Sequence, residues 1–122
     1  MPTIEDVARD FTAMLRDGQF KAAGDRFWAD DIKSMEPENN LRGLPVVTEG
    51  VNAARMKFNA WFGASRINDL GIDGPFVTGN KFALFMDMLI VSCASGDSQL
   101  FSEIAVYTVR DAKISEERYF YA

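Results

Sequence analysis

Residues 99–121, QLFSEIAVYTVRDAKISEERYFY, contain two strand patterns separated by a two-residue turn. Over residues 99–110, both alternating sets of positions are apolar, one set holding Phe101, Ala105, Tyr107 and Val109 and the other Leu100, Ile104 and Val106. Asp111-Ala112 then turns the chain into a last strand over residues 113–121. The stretch therefore predicts a β-hairpin whose first strand needs cover on both faces.

Further strands precede this hairpin. Alternation predicts them over residues 32–36, 67–73 with a short arm at 76–77, and 81–93. Gly79-Asn80 is a tight-turn signal before the longest of these strands, and the polar residues 94–98 join it to the hairpin. Residues 37–47 are rich in turn residues and lack a period, so they are predicted to form a loop.

Three helices are predicted ahead of the long strands. Apolar residues recur at helical spacing in three segments: Ile4, Val7, Ala8, Phe11, Met14 and Leu15; then Phe20, Ala23, Phe27 and Trp28; then Val51, Ala54, Phe58, Trp61 and Phe62. Thr3 is a candidate N-cap of the first helix. Gly18 and Gly63 are predicted to end the first and the third.

The order of these elements predicts one α+β domain over residues 1–122, in which a layer of three helices covers one face of an antiparallel sheet. A chain of 122 residues is long enough for one core and buries roughly two-thirds of its unfolded surface. The opposite face of the two long strands is also apolar and also needs burial. A homodimer formed through this outer face of the sheet is the simplest explanation.

The composition excludes several classes of function. The chain has no histidine, which excludes Ser-His-Asp and Cys-His catalysis and zinc sites of the HExxH type. Its single cysteine, Cys93, excludes an intramolecular disulfide and a cysteine zinc cluster, and is expected to be a small buried apolar residue. The net charge of −5 argues against a nucleic-acid partner. No metal site and no cofactor are expected.

The sequence shows no targeting signal. The first twenty residues mix acids and bases, unlike a signal peptide. The most apolar segment, residues 82–94, is interrupted by Asp87 and is too short to span a bilayer. Asp87 itself is expected at the dimer face or at an edge of the sheet. A cytoplasmic location without a membrane partner is therefore expected.

Several segments, taken in their order and spacing, resemble the NTF2-like superfamily and most closely its SnoaL-like branch. The resemblance covers essentially the whole chain and rests on residues 27–31 (FWADD), 34–37 (SMEP), 49–51 (EGV), 61–62 (WF), 73–76 (DGPF), 103–109 (EIAVYTV), 113–114 (KI) and 117–121 (ERYFY). It implies an NTF2-like cone, in which three N-terminal helices pack in a strongly curved antiparallel sheet around an apolar pocket. It also implies a homodimer through the sheet. The superfamily includes ketosteroid isomerases, polyketide cyclases and dehydratases, so the resemblance implies a pocket rather than one chemistry.

Glu36 is the first catalytic candidate. In the ketosteroid isomerases a similar Ala-Asp-Asp stretch leads, at the same spacing, to an acid before a proline, and that acid is the general base. Here Glu36 precedes Pro37. A glutamate against aromatic rings has a raised pKa and can carry a proton near neutral pH. The alternative is a strand-end glutamate that faces solvent or pairs with an arginine.

Glu103 is the second catalytic candidate, because it interrupts an otherwise apolar strand. Burying an unpaired carboxylate costs on the order of several kcal/mol, so the side chain must be paired, protonated or in contact with water. Arg118 and Arg55 are possible partners, and the pocket is the other buried location. SnoaL-like relatives also carry an acid at the matching position.

The candidates for ligand binding are mainly aromatic: Phe11, Arg55, Phe58, Trp61, Phe62, Tyr107, Tyr119 and Tyr121. Arg55 would orient an anionic ligand or else face solvent, and the tyrosines would donate to a ligand oxygen or else only pack. The chain departs from the family in two respects. Phe11 lies where the isomerases place an oxyanion-stabilising tyrosine, and the histidine on which SnoaL-type cyclases depend is absent.

Three functions remain open at this point. The first is a carboxylate-based isomerase or cyclase acting on a small hydrophobic carbonyl compound, with Glu36 as the base and Glu103 or a tyrosine as a hydrogen-bond donor. The alternative is a non-catalytic dimeric protein that binds a small hydrophobic molecule. The third is an interaction domain whose pocket is filled by its own side chains.

Overall fold

The computed structural model describes residues 1–40 and 42–122. Within these residues the chain forms three helices and six strands: α1 (Ile4–Arg16), α2 (Phe20–Phe27), β1 (Trp28–Met35), β2 (Val47–Glu49), α3 (Val51–Ala64), β3 (Ser65–Thr78), β4 (Lys81–Ser92), β5 (Ser98–Arg110) and β6 (Lys113–Phe120). This element order confirms the predicted α+β class. None of the helices in the described residues has the length and apolar character needed to cross a bilayer.

The strands form one curved, unclosed sheet in the order β2-β1-β6-β5-β4-β3. Strands β3 to β6 are a meander of antiparallel neighbours, and β1 pairs with β2 in the same sense. The pairing of β1 with β6 is parallel, unlike the antiparallel arrangement predicted for the sheet. No hairpin joins these two strands, because most of the chain lies between them, so their relative direction is set by packing rather than by a turn.

Local signals explain the position of α1. The Thr3 side chain accepts from the Asp6 N–H and the Asp6 carboxylate accepts from the Thr3 N–H, which completes a capping box. The helix ends before Gly18, which has a φ of 78°. At its C-terminus Arg16 donates to two carbonyl groups of β3, Ile72 O at 3.1 Å and Gly74 O at 2.9 Å. The apolar side of α1 is thereby held against the sheet.

Several predicted boundaries differ from the structure. Strand β1 covers residues 28–35 rather than 32–36, and the short strand β2, which was not predicted, includes Val47 from the predicted loop. Trp28 was assigned to the second helix but begins β1, because the chain passes from α2 into the strand without a linker. Gly63 does not end the third helix, which continues to Ala64 and leads directly into β3. Strand β4 ends at Ser92, so Cys93 lies in the following turn and is exposed rather than buried.

The strand predicted over residues 67–73 and the separate arm at 76–77 are one continuous strand, β3. Its pairing with β4 is irregular between Asn68 and Gly71 and again between Asp73 and Phe76. The second irregularity accommodates Gly74-Pro75, and β3 lies at the edge of the sheet, where a proline need not donate to a neighbouring strand.

The core lies between the helices and the inner face of the sheet. Alternate residues of the central strands point inward, as in Phe82, Leu84, Met86 and Met88 of β4. The opposite face is more open and carries an apolar row in which Phe85 pairs with Ile104 and Ile104 with Phe120. The two-sided apolar character predicted for the long strands is therefore present.

Leu84 and Leu100 provide a matched test of this inward and outward assignment. Leu84 is 0% exposed and Leu100 is 83% exposed. We expect Leu84→Ala to lower the free energy of unfolding by about 2–5 kcal/mol, because it removes buried methyl groups and leaves a cavity. We expect Leu100→Ala to change it by less than about 0.5 kcal/mol. Urea unfolding followed by circular dichroism measures both, and equal losses would contradict the assignment.

Candidate functional site

A cavity of about 100 Å³ lies between the helices and the inner face of the sheet. Its walls are mostly apolar, with several charged and polar groups among them: Phe11, Leu15, Phe20, Gly24, Trp28, Glu36, Arg42, Leu44, Ala54, Lys57, Phe58, Trp61, Ile67, Met86, Met88, Glu103, Tyr107, Glu117 and Tyr119. Seven of the ten residues proposed from the sequence are in this set. Arg55, Phe62 and Tyr121 are not.

Glu36 directly follows β1, which ends at Met35 rather than at residue 36 as predicted, and it is 6% exposed. Its N–H donates to Val46 O at 2.9 Å, which fixes the backbone where the strand ends. The Lys57 ammonium on α3 donates to Glu36 Oε2 at 2.9 Å, and the Tyr121 hydroxyl donates to Oε1 at 2.6 Å. Both carboxylate oxygens therefore have partners, and the partner with opposite charge is a lysine rather than the arginine considered from the sequence.

Glu117 is a second buried carboxylate with full partners. It accepts hydrogen bonds from Trp28 Nε1 at 2.8 Å, from Ser34 Oγ at 2.9 Å and from the Tyr119 hydroxyl at 2.7 Å. Lys57 also donates to Ser34 Oγ at 2.6 Å. One hydrogen-bonded network therefore joins both carboxylates through Lys57 and Ser34.

Glu103 differs from the other two carboxylates. It lies in the middle of β5, is 7% exposed and lines the cavity, yet its Oε2 atom is buried without a hydrogen-bond partner. Burial raises its pKa to about 7; the nearby Arg42 acts in the opposite direction, and the charges of Glu36 and Glu117 raise the pKa further. The sequence left open whether Glu103 pairs with an arginine, lines the pocket or contacts water. In the structure it lies on the cavity wall.

Neither arginine considered as a partner is paired with Glu103. Arg118 lies 3.7 Å from Glu116, and Arg55 donates to Asp25 at 3.0 Å on the exposed side of α3. Arg55 therefore lies outside this cavity, with its side chain paired to Asp25, and its role in ligand binding stays a prediction.

Two cavity tyrosines are held in their neutral form. Burial raises the pKa of both Tyr107 and Tyr119 well above the usual value, and the neighbouring Glu117 charge adds to the effect. The Tyr107 ring packs 4.9 Å from the Phe11 ring and 4.8 Å from the Phe82 ring. A phenol on β5 therefore lies beside Phe11, the helix residue that has no hydroxyl of its own.

Phe62 and Tyr121 lie at the margin of the site. Phe62 is partly exposed and stacks on Phe58, which does line the cavity, with ring centres 5.0 Å apart. Tyr121 contacts the site through its hydrogen bond to Glu36 and through its ring, which lies 5.0 Å from the Arg42 guanidinium. Both therefore support groups that line the cavity.

Sequence reasoning missed three charged residues of the site, Glu117, Lys57 and Arg42. Glu117 faces inward because the β5–β6 register shifts near Ser115, which changes the alternation along β6. Lys57 was not singled out, although its spacing from Ala54, Phe58 and Trp61 would have placed it on the same side of α3. Arg42 lies in the aperiodic loop before β2, and no pattern indicated where it points.

Comparisons with known proteins agree with this architecture. The sequence model of the SnoaL-like domain matches residues 2–121. A structure from Mesorhizobium loti, assigned to the SnoaL-like polyketide cyclases, is 34% identical, with 98% of this chain and 100% of that chain covered and a TM-score of 0.90. No curated protein matches the chain.

Two more distant structures share the fold. One is from Jannaschia sp. CCS1, assigned to the SnoaL-like polyketide cyclases, with 18% identity, a TM-score of 0.77 and coverage of 98% of this chain and 88% of that chain. The other is from Bacillus subtilis, assigned as an isomerase, with 16% identity, a TM-score of 0.79 and coverage of 99% and 90%.

The burial of Glu103 predicts a pH dependence of stability. Its pKa is raised from 4.5 to about 7, so folding at higher pH requires an ionised buried group. The contribution of Glu103 to the free energy of unfolding is fully present below pH 4.5. It is lost as the pH rises from 4.5 through about 7, and the loss is about 3 kcal/mol at most. We expect Glu103→Gln, which cannot ionise, to be more stable than the native protein at pH 8 and similar to it at pH 4.5.

Chemical denaturation at a series of pH values measures this difference. Glu49→Gln is the matched control, because the Glu49 side chain is 70% exposed, and its profile is expected to follow the native one. Parallel curves for the native protein and Glu103→Gln would contradict the raised pKa.

Proposed function

The chain belongs to the SnoaL-like domain family, and we propose that this member binds a small cyclic carbonyl compound in the cavity and transfers a proton on it, as an isomerase or a cyclase does. The observation that carries this proposal is Glu103, which lines a mostly apolar cavity, whose buried Oε2 has no hydrogen-bond partner and whose pKa is about 7. A carboxylate with these properties is suited to accept and return a proton near neutral pH.

The base in this proposal is Glu103 rather than Glu36. Both oxygens of Glu36 are occupied, one by the Lys57 ammonium and one by the Tyr121 hydroxyl. A base must reach the proton that it abstracts with a free lone pair. Glu103 Oε2 has no hydrogen-bond partner, so its lone pairs are not occupied. Glu36 instead positions Lys57 and contributes negative charge near Glu103.

The proposed reaction begins with the removal of a proton from the carbon next to a carbonyl group. The C–H bond next to the carbonyl breaks, its proton moves to Glu103 Oε2, and the electron pair is delocalised onto the carbonyl oxygen as an enolate. The neutral Tyr107 hydroxyl donates a hydrogen bond to that oxygen. In a β,γ-unsaturated ketone the anion is a dienolate, so Glu103 returns the proton to the γ-carbon as the double bond moves into conjugation with the carbonyl, which completes an isomerisation. In a substrate with a second carbonyl group, the enolate carbon bonds to the carbon of that group, its C=O π bond breaks, and the resulting alkoxide takes the proton back from Glu103, which completes a cyclisation.

The cavity size favours a compact substrate. An engineered dry cavity of about 150 Å³ takes benzene, and the cavity here measures about 100 Å³. One small ring is therefore the appropriate scale, and a fused polycyclic compound would need the walls to move.

Exchange of the α-protons of cyclohexanone for deuterium, followed by NMR, tests the proposal. We expect Glu103→Gln to slow the protein-dependent exchange by about 10²- to 10⁴-fold, the usual contribution of a general base. Glu36→Gln is expected to slow it far less, because a glutamine can accept from Lys57 and donate to the Tyr121 hydroxyl and so keeps both contacts of the site. The exposed Glu49→Gln is expected not to slow it at all. The native rate is expected to rise with pH through about 7, because the base acts when ionised.

Equal losses in Glu103→Gln and Glu36→Gln would contradict the assignment of the base. Saturable binding of cyclohexanone without exchange would favour the alternative function, a non-catalytic binding protein.

The outer face of the sheet supports a second proposal, a homodimer through that face. Phe85, Ile104 and Phe120 form a cross-strand apolar row, and each is more than one-third exposed. An apolar row of this kind on an open sheet face is a favourable surface for self-association.

We expect Ile104→Glu to convert the dimer to a monomer, because it places a charge at the centre of the row. Light scattering after size-exclusion chromatography measures the mass. Met56→Glu on α3, where the side chain is 72% exposed, is the control and is expected to remain dimeric. A monomeric native protein at all concentrations would rule out the dimer.

A further inference from the structure

Arg42 enters the site from the loop between β1 and β2. Its guanidinium lies 3.8 Å from the Phe101 ring centre, 4.6 Å from that of Trp61 and 5.0 Å from that of Tyr121. Contacts of a guanidinium with ring faces are favourable and hold it in one orientation. Three aromatic rings therefore fix this cation at the cavity wall.

The loop that carries Arg42 is itself closed by Asn40. The Asn40 side chain donates to Pro37 O and to Leu44 O, both at 2.9 Å, and accepts from the Leu44 N–H at 2.9 Å. These bonds join both sides of the loop around Arg42. The direction of the arginine is thus set by the backbone as well as by the rings.

The guanidinium has no anionic partner among the described residues. Its Nη2 atom is buried without a hydrogen-bond partner, as is Glu103 Oε2, and both residues line the same cavity. A buried donor without a partner is destabilising. An unpaired donor and an unpaired acceptor thus belong to two residues on the wall of one small cavity.

The other charges of the cavity are already committed. Lys57 is bound to Glu36 and Ser34, and Glu117 accepts three hydrogen bonds. Recognition of a charged ligand group therefore falls to Arg42.

We propose that Arg42 determines the specificity of the cavity and selects single-ring compounds that carry a carboxylate. The acid group accepts from Arg42 Nη2, the ring packs against Trp61 and Phe58, and the carbon next to the ring carbonyl of a keto acid is directed toward Glu103. The proposal rests on the proposed function in that it places the ligand in the same cavity, and it adds the class of substrate: cyclic keto acids.

Benzoate and benzamide are the matched probes, because they have nearly the same shape and differ in charge. Isothermal titration calorimetry measures their dissociation constants for the native protein and its variants. We expect benzoate to bind the native protein about 10-fold more tightly than benzamide, the difference typical of a charge-assisted hydrogen bond over a neutral one. Arg42→Gln is expected to abolish this preference and Arg42→Lys to retain part of it.

Arg26→Gln is the control variant. Arg26 also lies over a ring, 4.7 Å from the centre of Phe27, but its side chain is 59% exposed and outside the cavity, so the preference for benzoate is expected to be unchanged. Equal binding of the two probes by the native protein overturns the proposal, as does a preference that survives Arg42→Gln. If Arg42→Gln does not fold, the test rests on the native protein and Arg42→Lys. A preference for benzoate in the native protein that is smaller in Arg42→Lys supports the proposal, and a preference that is unchanged in Arg42→Lys overturns it.

The outcomes separate this proposal from the catalytic one. Glu103-dependent exchange of cyclohexanone with no preference for benzoate overturns the role of Arg42 alone. An Arg42-dependent preference for benzoate without any exchange supports the role of Arg42 and overturns the proton transfer.

Discussion

The ion pair between Lys57 and Glu36 joins α3 to the end of β1, and much of the site depends on it. The ammonium and carboxylate are 2.9 Å apart, with side chains that are 11% and 3% exposed. A buried pair of this kind is stable only when further hydrogen bonds satisfy its remaining atoms. Tyr121 does so for Glu36, and Ser34 does so for Lys57 and connects the pair to Glu117. The pair therefore organises two carboxylates and leaves the third, Glu103, as the group that remains available.

The chain has no histidine, yet its interior contains a group with a pKa near neutrality. Histidine is the side chain whose ordinary pKa lies near neutrality. Here the pKa of Glu103 is raised to about 7 by burial, so a carboxylate titrates in the range that histidine would occupy. The phenols of Tyr107 and Tyr119 stay neutral for the same reason and remain hydrogen-bond donors. The interior thus contains the elements of acid–base chemistry made from glutamate and tyrosine alone.

Local patterns predicted most of the secondary structure, and long-range contacts accounted for the errors. Helix α1 and the hairpin of β5 and β6 follow from periodicity and turn residues close in the chain. The continuous β3 was missed because Gly74-Pro75 breaks the pattern, whereas an edge strand accommodates a proline. Inward-facing Glu117 was missed because a shift of register changes the side of the strand, and no residue pattern on β6 marks that shift.

The sequence by itself determined the α+β class, the apolar alternation of the long strands and the limitation to chemistry without histidine, because these depend on residue type and short spacing. Only the tertiary structure decided which carboxylate is free. Glu36 and Lys57 are 21 positions apart, and Trp28 and Glu117 are 89 apart. Pairing over such separations is set by how the helices pack into the curved sheet, and the pKa of a buried acid depends on that pairing and on its loss of contact with water. For this reason Glu36, the first candidate for the base in the sequence, and Glu103, the second catalytic candidate, have different properties in the folded protein.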